Sequence, residues 1–330
     1  MALRLIKILY LILAIIPIVY PVYLNADTIF IKDKLGRQVK VKTPLKRAVI
    51  VITYELIPAL GVWNQVVGIS RWAEKECDLI KAIFNKYPYL KKPTVGTGTD
   101  MNIEAILKLN PDLVITWAYS PETIKFLEER SIKTIAIWPE NLKEFYGVVR
   151  LHGKLFGKEK RAEQVIKEII SMLKIIRDRV KNISHKKIVL YLSGRQTRVG
   201  GGKGIMNDMI KICGAINPAS NIKKDTYDVS MEKIIKWNPD CIFIWGYAGY
   251  SETDILKNPQ WKYIKAVKNK KVYKVPKWST WSPRIAPIAL WMAIRIYPEK
   301  FKNINFKKIV NSYYKTVFGI SYEEVLRYAK

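Results

Sequence analysis

The chain has few of the residues from which metal centres and disulfide scaffolds are built. Its 330 residues include two histidines, His152 and His185, and three cysteines. Two imidazoles exclude the multi-histidine zinc site of many hydrolases and metal-ion binders, and we expect no metal site in the protein itself. Three thiols exclude a disulfide scaffold. Cys213 and Cys241 would be able to pair in an oxidising compartment, leaving Cys77 free, but buried single thiols are at least as good an expectation.

Enzyme motifs are also missing. The segment VGGGKGIM at 199–206 resembles a phosphate-binding loop, but Gly204 follows Lys203 where that motif needs Ser or Thr. No Ser-His-Asp arrangement is visible, because His152 falls in a helical stretch and His185 in a polar connector. We therefore expect neither enzymatic activity nor an intrinsic cofactor.

The N-terminus contains no acidic residue before Asp27. Two basic residues, Arg4 and Lys7, precede an apolar run over residues 8–24. This pattern predicts a secretory signal peptide over residues 1–26 and therefore a periplasmic protein. The first cysteine, Cys77, lies far from this segment, so we expect no lipid anchor.

Cleavage of this segment is expected after Ala26. Pro17 and Pro21 disfavour a regular membrane-spanning helix. Leu24 is larger than ideal three residues before the cut. An uncleaved membrane anchor is therefore the alternative.

Acidic residues are scarce, with 28 Asp and Glu against 57 Lys and Arg, which gives a formal net charge of +29. Nucleic acid is the usual partner for such a charge. An exported protein rarely meets nucleic acid, and the lysines are spread along the chain, so we expect no such partner. A lysine-rich surface is the simpler explanation, and attraction to anionic ligands or lipid headgroups is the functional one.

Short β-rich runs alternate with amphipathic helical patterns along most of the chain. A hairpin with a glycine turn is predicted over Thr28–Lys42. The alternation predicts an α/β protein with parallel sheets flanked by helices. Candidate strands are Ala48–Thr53, Val66–Ser70, Leu113–Trp117, Thr134–Trp138, Lys187–Leu192, Cys241–Trp245 and Lys271–Val275.

One helical pattern is much longer than the others. Lys158–Asn182 contains no Gly or Pro and has apolar residues at helical spacing, so one long helix is predicted near the middle of the chain. An ordinary surface helix would satisfy this pattern, but its position favours a strut between two lobes. The predicted organisation is an N-terminal lobe over 27–157, a connecting helix over 158–183 and a C-terminal lobe over 184–330.

An internal repeat supports the two lobes. Residues 101–119, MNIEAILKLNPDLVITWAY, and residues 229–247, VSMEKIIKWNPDCIFIWGY, are identical at eight of nineteen positions. Each copy predicts a helix stopped by Asn-Pro-Asp, a hydrophobic strand and a pair of aromatic residues. Two similar Rossmann-like lobes would place a ligand cleft between them, at the C-terminal ends of the strands.

The sequence resembles the periplasmic binding proteins of ABC importers for iron-siderophores, cobalamin and haem, the helical-backbone or class III type. The resemblance rests on GTGTDMNIEAILKLNPDLVITW, on DVSMEKIIKWNPDCIFIW and on WSPRIAPIALWMAIRIYPEKF. It implies two lobes joined by one helix, and a monomer that delivers its ligand to a permease dimer in the inner membrane. A ferric siderophore is the leading ligand, cobalamin and haem come next, and an oxyanion such as molybdate or tungstate is a further variant.

Candidate ligand contacts follow the predicted strands. Arginine suits anionic chelates because its planar fork donates two parallel hydrogen bonds, although any single arginine here is more often simply solvated. Aromatic side chains would stack on a planar chelate, while Trp117 and Trp245 are expected to fill the core. The candidates are Tyr54, Arg71, Trp72, Tyr119, Arg195, Arg198, Tyr247, Trp278, Trp281 and Arg284.

Two acidic residues occupy equivalent repeat positions. Glu104 and Glu232 lie in the first turns of their predicted helices. There a carboxylate complements the helix dipole, which needs no partner. The resemblance implies instead that each glutamate meets an arginine on one permease subunit.

Two rival classes would use the same chain differently. A cofactor-assembly protein of this fold would use cysteines at the lobe interface, but Cys77, Cys213 and Cys241 are too scattered for a cluster motif. A membrane-surface protein would be held by an uncleaved N-terminus and its basic face.

Overall fold

The computed structural model describes residues 27–329. The predicted signal peptide over 1–26 lies outside the described residues. The chain first forms an antiparallel hairpin of β1 (Asp27–Lys32) and β2 (Gln38–Thr43). Alternate residues of β2 are buried, as a half-buried strand requires. The predicted hairpin is confirmed, with Gly36 at φ +80° in its turn.

The first sheet has four parallel strands in the order β4-β3-β5-β6. Its strands are almost wholly buried because helices cover both faces. The strands are β3 (Ala48–Ile50), β4 (Val66–Ile69), β5 (Leu113–Trp117) and β6 (Thr134–Ile137). The helices of this half are α1 (Leu56–Leu60), α2 (Arg71–Glu76), α3 (Asp78–Lys86), α4 (Ile103–Leu109), α5 (Pro121–Glu128) and α6 (Leu142–Phe156).

The long central helix is confirmed as α7 (Glu159–Val180). Gly157, at φ +64°, ends α6 in the left-handed conformation and lets the chain turn into α7. One face of α7 is buried through Val165, Ile169 and Ile176, which lie at helical spacing. Because this face belongs to the main hydrophobic core, the helix is packed along its length and is not a free linker.

The second sheet has five strands in the order β11-β10-β7-β8-β9. Three of them are parallel, whereas β8 and β9 are antiparallel additions at one edge, which the sequence patterns did not predict. The strands are β7 (Val189–Leu192), β8 (Arg198–Gly200), β9 (Thr226–Asp228), β10 (Cys241–Ile244) and β11 (Val272–Lys274). The helices are α8 (Ile205–Ile212), α9 (Met231–Trp237), α10 (Glu252–Leu256), α11 (Lys265–Lys268) and α12 (Ile285–Ile296).

The last two helices, α13 (Phe306–Phe318) and α14 (Tyr322–Leu326), return to the first half of the molecule. They pack against α1 and α3, and Lys86 of α3 forms an ion pair with Glu324 at 2.7 Å. The predicted C-terminal lobe was drawn over 184–330 as one continuous range. In the structure the final helices of that range pack on the first lobe.

The repeat has the same local structure in both halves. Asn102 and Ser230 cap α4 and α9, and Asn110 and Asn238 end these helices in the left-handed conformation. The carboxylates of Asp112 and Asp240 then accept hydrogen bonds from backbone N–H groups just before β3 and β7, respectively. The repeat is thus two equivalent helix–strand units.

Two negative findings concern the described residues. None of the helices between residues 27 and 329 combines the length and apolar character needed to cross a bilayer. Cys213 and Cys241 are both buried free thiols, so the disulfide alternative is wrong and the single-thiol alternative holds.

A buried histidine fixes the loop that follows β3. Nδ1 of His152 donates to the Val148 carbonyl at 2.9 Å, and its Nε2 lies 3.1 Å from the Thr53 hydroxyl. Thr53 has φ +59°, which is uncommon for a β-branched residue and needs such support. Burial lowers the pKa of His152 to about 4.

We expect the stability of the protein to fall as the pH is lowered from about 6.5 to about 4. In this window His152 is protonated in the unfolded chain but not in the folded chain. The free energy of unfolding therefore falls by up to about 3 kcal/mol. Urea unfolding at several pH values measures this slope. His152→Gln should flatten it, whereas His185→Gln, at an exposed position, should not. An unchanged slope in His152→Gln would contradict the assignment.

Candidate functional site

The C-terminal ends of the parallel strands of the two sheets border a cleft. Trp72, just after β4, contacts Tyr247, just after β10, with ring centroids 5.3 Å apart. On another side, Lys203 forms an ion pair with Glu140 at 3.5 Å. Because loops after strands of both lobes meet, the space between them is bounded by strand ends, as expected for α/β binding sites.

A segment of the C-terminal half spans this space. Residues 276–284, here called the crossing segment, follow β11 and contact the first lobe at several points. Trp278 donates from Nε1 to the Asp78 carboxylate at 3.2 Å. Trp281 packs against Trp138, with ring centroids 4.6 Å apart. The crossing segment therefore lies at the C-terminal edge of the first sheet and borders the cleft.

The crossing segment ends in a buried ion network. The Arg284 guanidinium donates to Glu55 from Nε at 2.9 Å and from Nη2, and to Asp78 from Nη1. The Ser282 hydroxyl donates to the same Glu55 carboxylate, and the Cys77 thiol lies 3.2 Å from it. Burial lowers the pKa of Arg284, but Asp78 and Glu55 outweigh it and hold that pKa well above its ordinary value.

This network corrects two predicted ligand contacts. Arg284 is fully buried, and carboxylates of the first lobe already occupy its donors. Trp278 is buried against Asp78. Neither side chain faces the cleft, because both hold the crossing segment against the first lobe. Helix α12 begins at Ile285, directly after Arg284.

Four aromatic side chains form one group at the ends of β5 and β6. Tyr119 stacks on Trp138 at 5.6 Å, and Trp117 lies edge-on to Trp281 at 6.2 Å. The Trp117 indole N–H is buried and has no hydrogen-bond partner within residues 27–329. This aromatic group consists of Trp117, Tyr119, Trp138 and Trp281.

Trp138 was missed by the sequence reasoning. It follows β6 as Trp117 ends β5, so its position at a strand end was the available indication. Tyr119 is exposed, and Trp281 is half-buried. The expectation that Trp117 fills the core is only partly right, because it is half-buried at the cleft edge.

Aromatic residues also follow β10 in the second lobe. Trp245 is 38% exposed, so the expectation that it fills the core is wrong. Its ring lies 5.5 Å from that of Tyr247, whose hydroxyl donates to the Lys277 carbonyl at 2.7 Å. A Cβ at Gly246 would lie 2.6 Å from the Val275 carbonyl oxygen, so this turn requires glycine where the first repeat has alanine.

The three predicted cleft arginines each hold an aspartate. Arg71 pairs with Asp100 at 2.7 Å in the first lobe. In the second lobe Arg195 and Arg198 both reach Asp228, at 2.7 and 3.1 Å. Arg71 and Arg195 follow the parallel strands β4 and β7, whereas Arg198 begins the antiparallel strand β8. All three guanidinium groups keep contact with solvent.

Tyr54 differs from the arginines in its surroundings. It follows β3 and is packed against the main core, so its side chain is only partly accessible. Burial, with Cys77 and Glu55 as additional causes, raises the pKa of its phenol well above the ordinary value. Tyr54 therefore remains a neutral hydroxyl beside the buried ion network.

Glu104 and Glu232 are exposed in the first turns of α4 and α9. The Ser230 side chain lowers the pKa of Glu232, which keeps that carboxylate ionised. Within residues 27–329 neither glutamate has an ion-pair partner. Both are therefore free to meet a basic partner.

The part of the chain that the structure describes contains no cluster of three or more His, Cys, Asp or Glu side chains placed to hold a metal ion. A separate cavity of about 290 Å³ lies behind Trp138, between the hairpin and α6. None of the arginines Arg71, Arg195 and Arg198 lines it.

Two lobes joined by one long helix, with a cleft lined by aromatic and arginine side chains, define a solute-binding protein. Residues 52–278 match the model of a periplasmic binding protein family, and the chain belongs to that family. It is thus an extracytoplasmic solute-binding protein of ABC importers, and not an enzyme.

Individual relatives span nearly the whole chain. It is 27% identical to the molybdate-binding protein MolA of Haemophilus influenzae, over 90% of this chain and 93% of that protein. It is 29% identical to the Fe(3+)-citrate-binding protein YfmC of Bacillus subtilis, over 78% and 81%. The structure of Helicobacter pylori CeuE with Ni(II) bound is similar at a TM-score of 0.79 and 30% identity, covering 92% of this chain and all 100% of that one.

Removing the guanidinium of Arg284 should destabilise the protein strongly. Arg284→Met leaves two buried carboxyl groups without their cation, which typically costs about 3–5 kcal/mol. Urea unfolding followed by circular dichroism measures this loss. The triple variant with Glu55→Gln and Asp78→Asn should recover part of it, because no unpaired charge then remains. A loss below about 1 kcal/mol in Arg284→Met would contradict the network's role.

Proposed function

We propose that this protein captures an anionic metal complex between its lobes and delivers it to an ABC permease. The preferred ligand class is a ferric chelate whose oxygen donors carry negative charge, such as a siderophore or ferric citrate. The observation that carries this proposal is that aromatic and arginine side chains occur together at one cleft. The aromatic group supplies flat apolar surface, and arginines stand at strand ends of both lobes.

The aromatic side chains and the arginines each fit one part of such a ligand. Tyr119 and Trp138 offer ring faces and edges that pack on a planar chelating group. The planar forks of Arg71 and Arg195 would donate bidentate hydrogen bonds to carboxylate, catecholate or other oxyanion oxygens of the ligand. In this arrangement the metal is held by its chelator, and the protein recognises the chelate.

A bare oxyanion such as molybdate or tungstate is the second candidate. The arginines alone would suffice for it, and the 27% identical relative MolA is a molybdate-binding protein. The aromatic group favours the larger chelate, because a small tetrahedral anion has no flat face to stack. Haem would need an axial ligand, for which Tyr119 is the exposed candidate, and cobalamin is the remaining alternative.

Delivery requires a docking surface on each lobe. Glu104 and Glu232 occupy equivalent positions of the two repeat units, so their carboxylates suit a permease dimer with two-fold symmetry. We propose that each meets a basic side chain on one permease subunit in the inner membrane. The protein would act as a periplasmic monomer released from its signal peptide, with an uncleaved anchor as the alternative.

Titration with ligand should quench tryptophan fluorescence. The panel is ferric citrate, a ferric catecholate chelate, molybdate, haem and cyanocobalamin. Native mass spectrometry and an absorption spectrum of the same samples identify the bound species. We expect the ferric chelates to bind most tightly; preference for molybdate would support the second candidate, and binding of none would contradict the proposed function.

Variants locate the site in the same titration. Trp281→Phe and Trp138→Phe should reduce the quench and weaken binding by about two- to tenfold, as an aromatic contact of about 0.5–1.5 kcal/mol predicts. Trp63→Phe is the matched control, because Trp63 precedes β4 and lies at the opposite edge of the sheet. Equal effects in all three variants would place the ligand elsewhere.

Charge reversal at the docking glutamates should separate delivery from capture. Glu104→Lys with Glu232→Lys should lower permease-dependent uptake at least about tenfold, because like charges then face each other across the interface. Ligand affinity should stay at the wild-type value. Glu159→Lys and Glu323→Lys reverse exposed first-turn glutamates elsewhere and should leave uptake unchanged. Lost ligand affinity in the double variant would count against docking.

A further inference from the structure

The cleft arginines are occupied by a symmetric pair of aspartates. Asp100 and Asp228 are separated by the same offset as the two repeat copies, and each lies immediately before its copy. Asp100 holds Arg71 in the first lobe, and Asp228 holds Arg195 in the second. Each lobe thus has an Asp–Arg ion pair at the same position relative to its repeat copy, one residue before the copy begins.

The fold does not require these carboxylates. The caps of α4 and α9 are Asn102 and Ser230, two residues further on. Within residues 27–329 the side chain of Asp100 has no hydrogen-bond partner other than Arg71, and that of Asp228 none other than arginines. Both carboxylates keep substantial solvent exposure, at 72% and 44% of the side chain.

The first-lobe pair is held in position by a tight loop. The Arg71 N–H donates to the Gly96 carbonyl at 2.7 Å, so backbone and side chain of Arg71 both attach to residues 96–100. Gly96 has φ +83°, and a Cβ there would lie 2.0 Å from the Asp100 carbonyl oxygen. The loop therefore presents the Asp100 carboxylate to Arg71 at the strand end, where a ligand anion would bind.

We propose that Asp100 and Asp228 act as internal competitors of the ligand. Each occupies an arginine fork in the free protein and is displaced by an anionic group of the bound ligand. Exposed ion pairs are weak, so a carboxylate or catecholate of a polyanionic chelate exchanges for the aspartate with little loss. A neutral acceptor does not take the place of a carboxylate on a guanidinium, so the aspartates exclude ligands that bring no anionic oxygen to these arginines. This inference rests on the proposed function.

The test removes each competitor and measures affinity by isothermal titration calorimetry, with ferric citrate and molybdate as probes. Asp100→Asn and Asp228→Asn should each strengthen binding about two- to fivefold, and together they should give a larger gain. A competitor weakens every ligand that displaces it by the same factor, so each probe should gain in the variant whose arginine it contacts, and only a probe that reaches both lobes should gain from both changes. Asp100→Glu with Asp228→Glu should restore the ion pairs and an affinity near that of the wild type.

Two controls separate competition from a general change of charge. Glu122→Gln removes an exposed carboxylate at the start of α5, on the same sheet edge, which pairs with no arginine among residues 27–329. Asp178→Asn breaks an exposed ion pair with Lys174 on α7. Neither should alter affinity by more than about 1.5-fold.

The outcomes distinguish this inference from the proposed function. Wild-type binding of a probe with unchanged or weakened affinity in the asparagine variants overturns the competition and leaves the proposed function standing. A gain equal to that of Glu122→Gln also overturns it, because charge alone would then explain the effect. Failure of the folded wild type to bind any anionic probe overturns both.

Discussion

The buried guanidinium of Arg284 is the contact on which the geometry of the cleft depends. It joins the C-terminal half of the chain to Glu55 and Asp78 of the first lobe, more than 200 residues earlier. A charge withdrawn from water is tolerated only where partners surround it, so this position admits one arrangement of the three side chains. The crossing segment before Arg284 is thereby held at the edge of the first sheet, and Trp281 with it.

This connection constrains how the lobes move. The helix α7 is packed into the core along one face, and α13 and α14 of the C-terminal half pack on α1 and α3 of the first. The two halves are therefore linked by α7, by the packing of α13 and α14, and by the Arg284 network, in addition to the cleft contacts. A closure that separated Arg284 from its carboxylates would expose buried charge, so we infer small rotations about these links and no wide hinge opening.

The sequence predicted what local rules determine. The repeat units formed because Asn-Pro-Asp ends a helix by its own chemistry, and the long helix followed from apolar spacing without Gly or Pro. It did not predict that Arg284 is buried, because its partners are 229 and 206 positions away. For the same reason Trp138 was missed and Trp245 misplaced: whether a tryptophan at a strand end faces core or cleft depends on what the other lobe brings to it.

Arginine shows how the environment decides the role of one residue type. The sequence placed Arg71 and Arg284 together as ligand contacts, and both meet aspartate in the structure. Around Arg284 no water competes, so the pair is structural and cannot exchange without leaving buried charge. At Arg71 solvent screens the pair, its strength is small, and an incoming anion replaces one carboxylate by another at little cost. A cleft that must bind and release its ligand requires pairs of the second kind, placed on a frame held by pairs of the first.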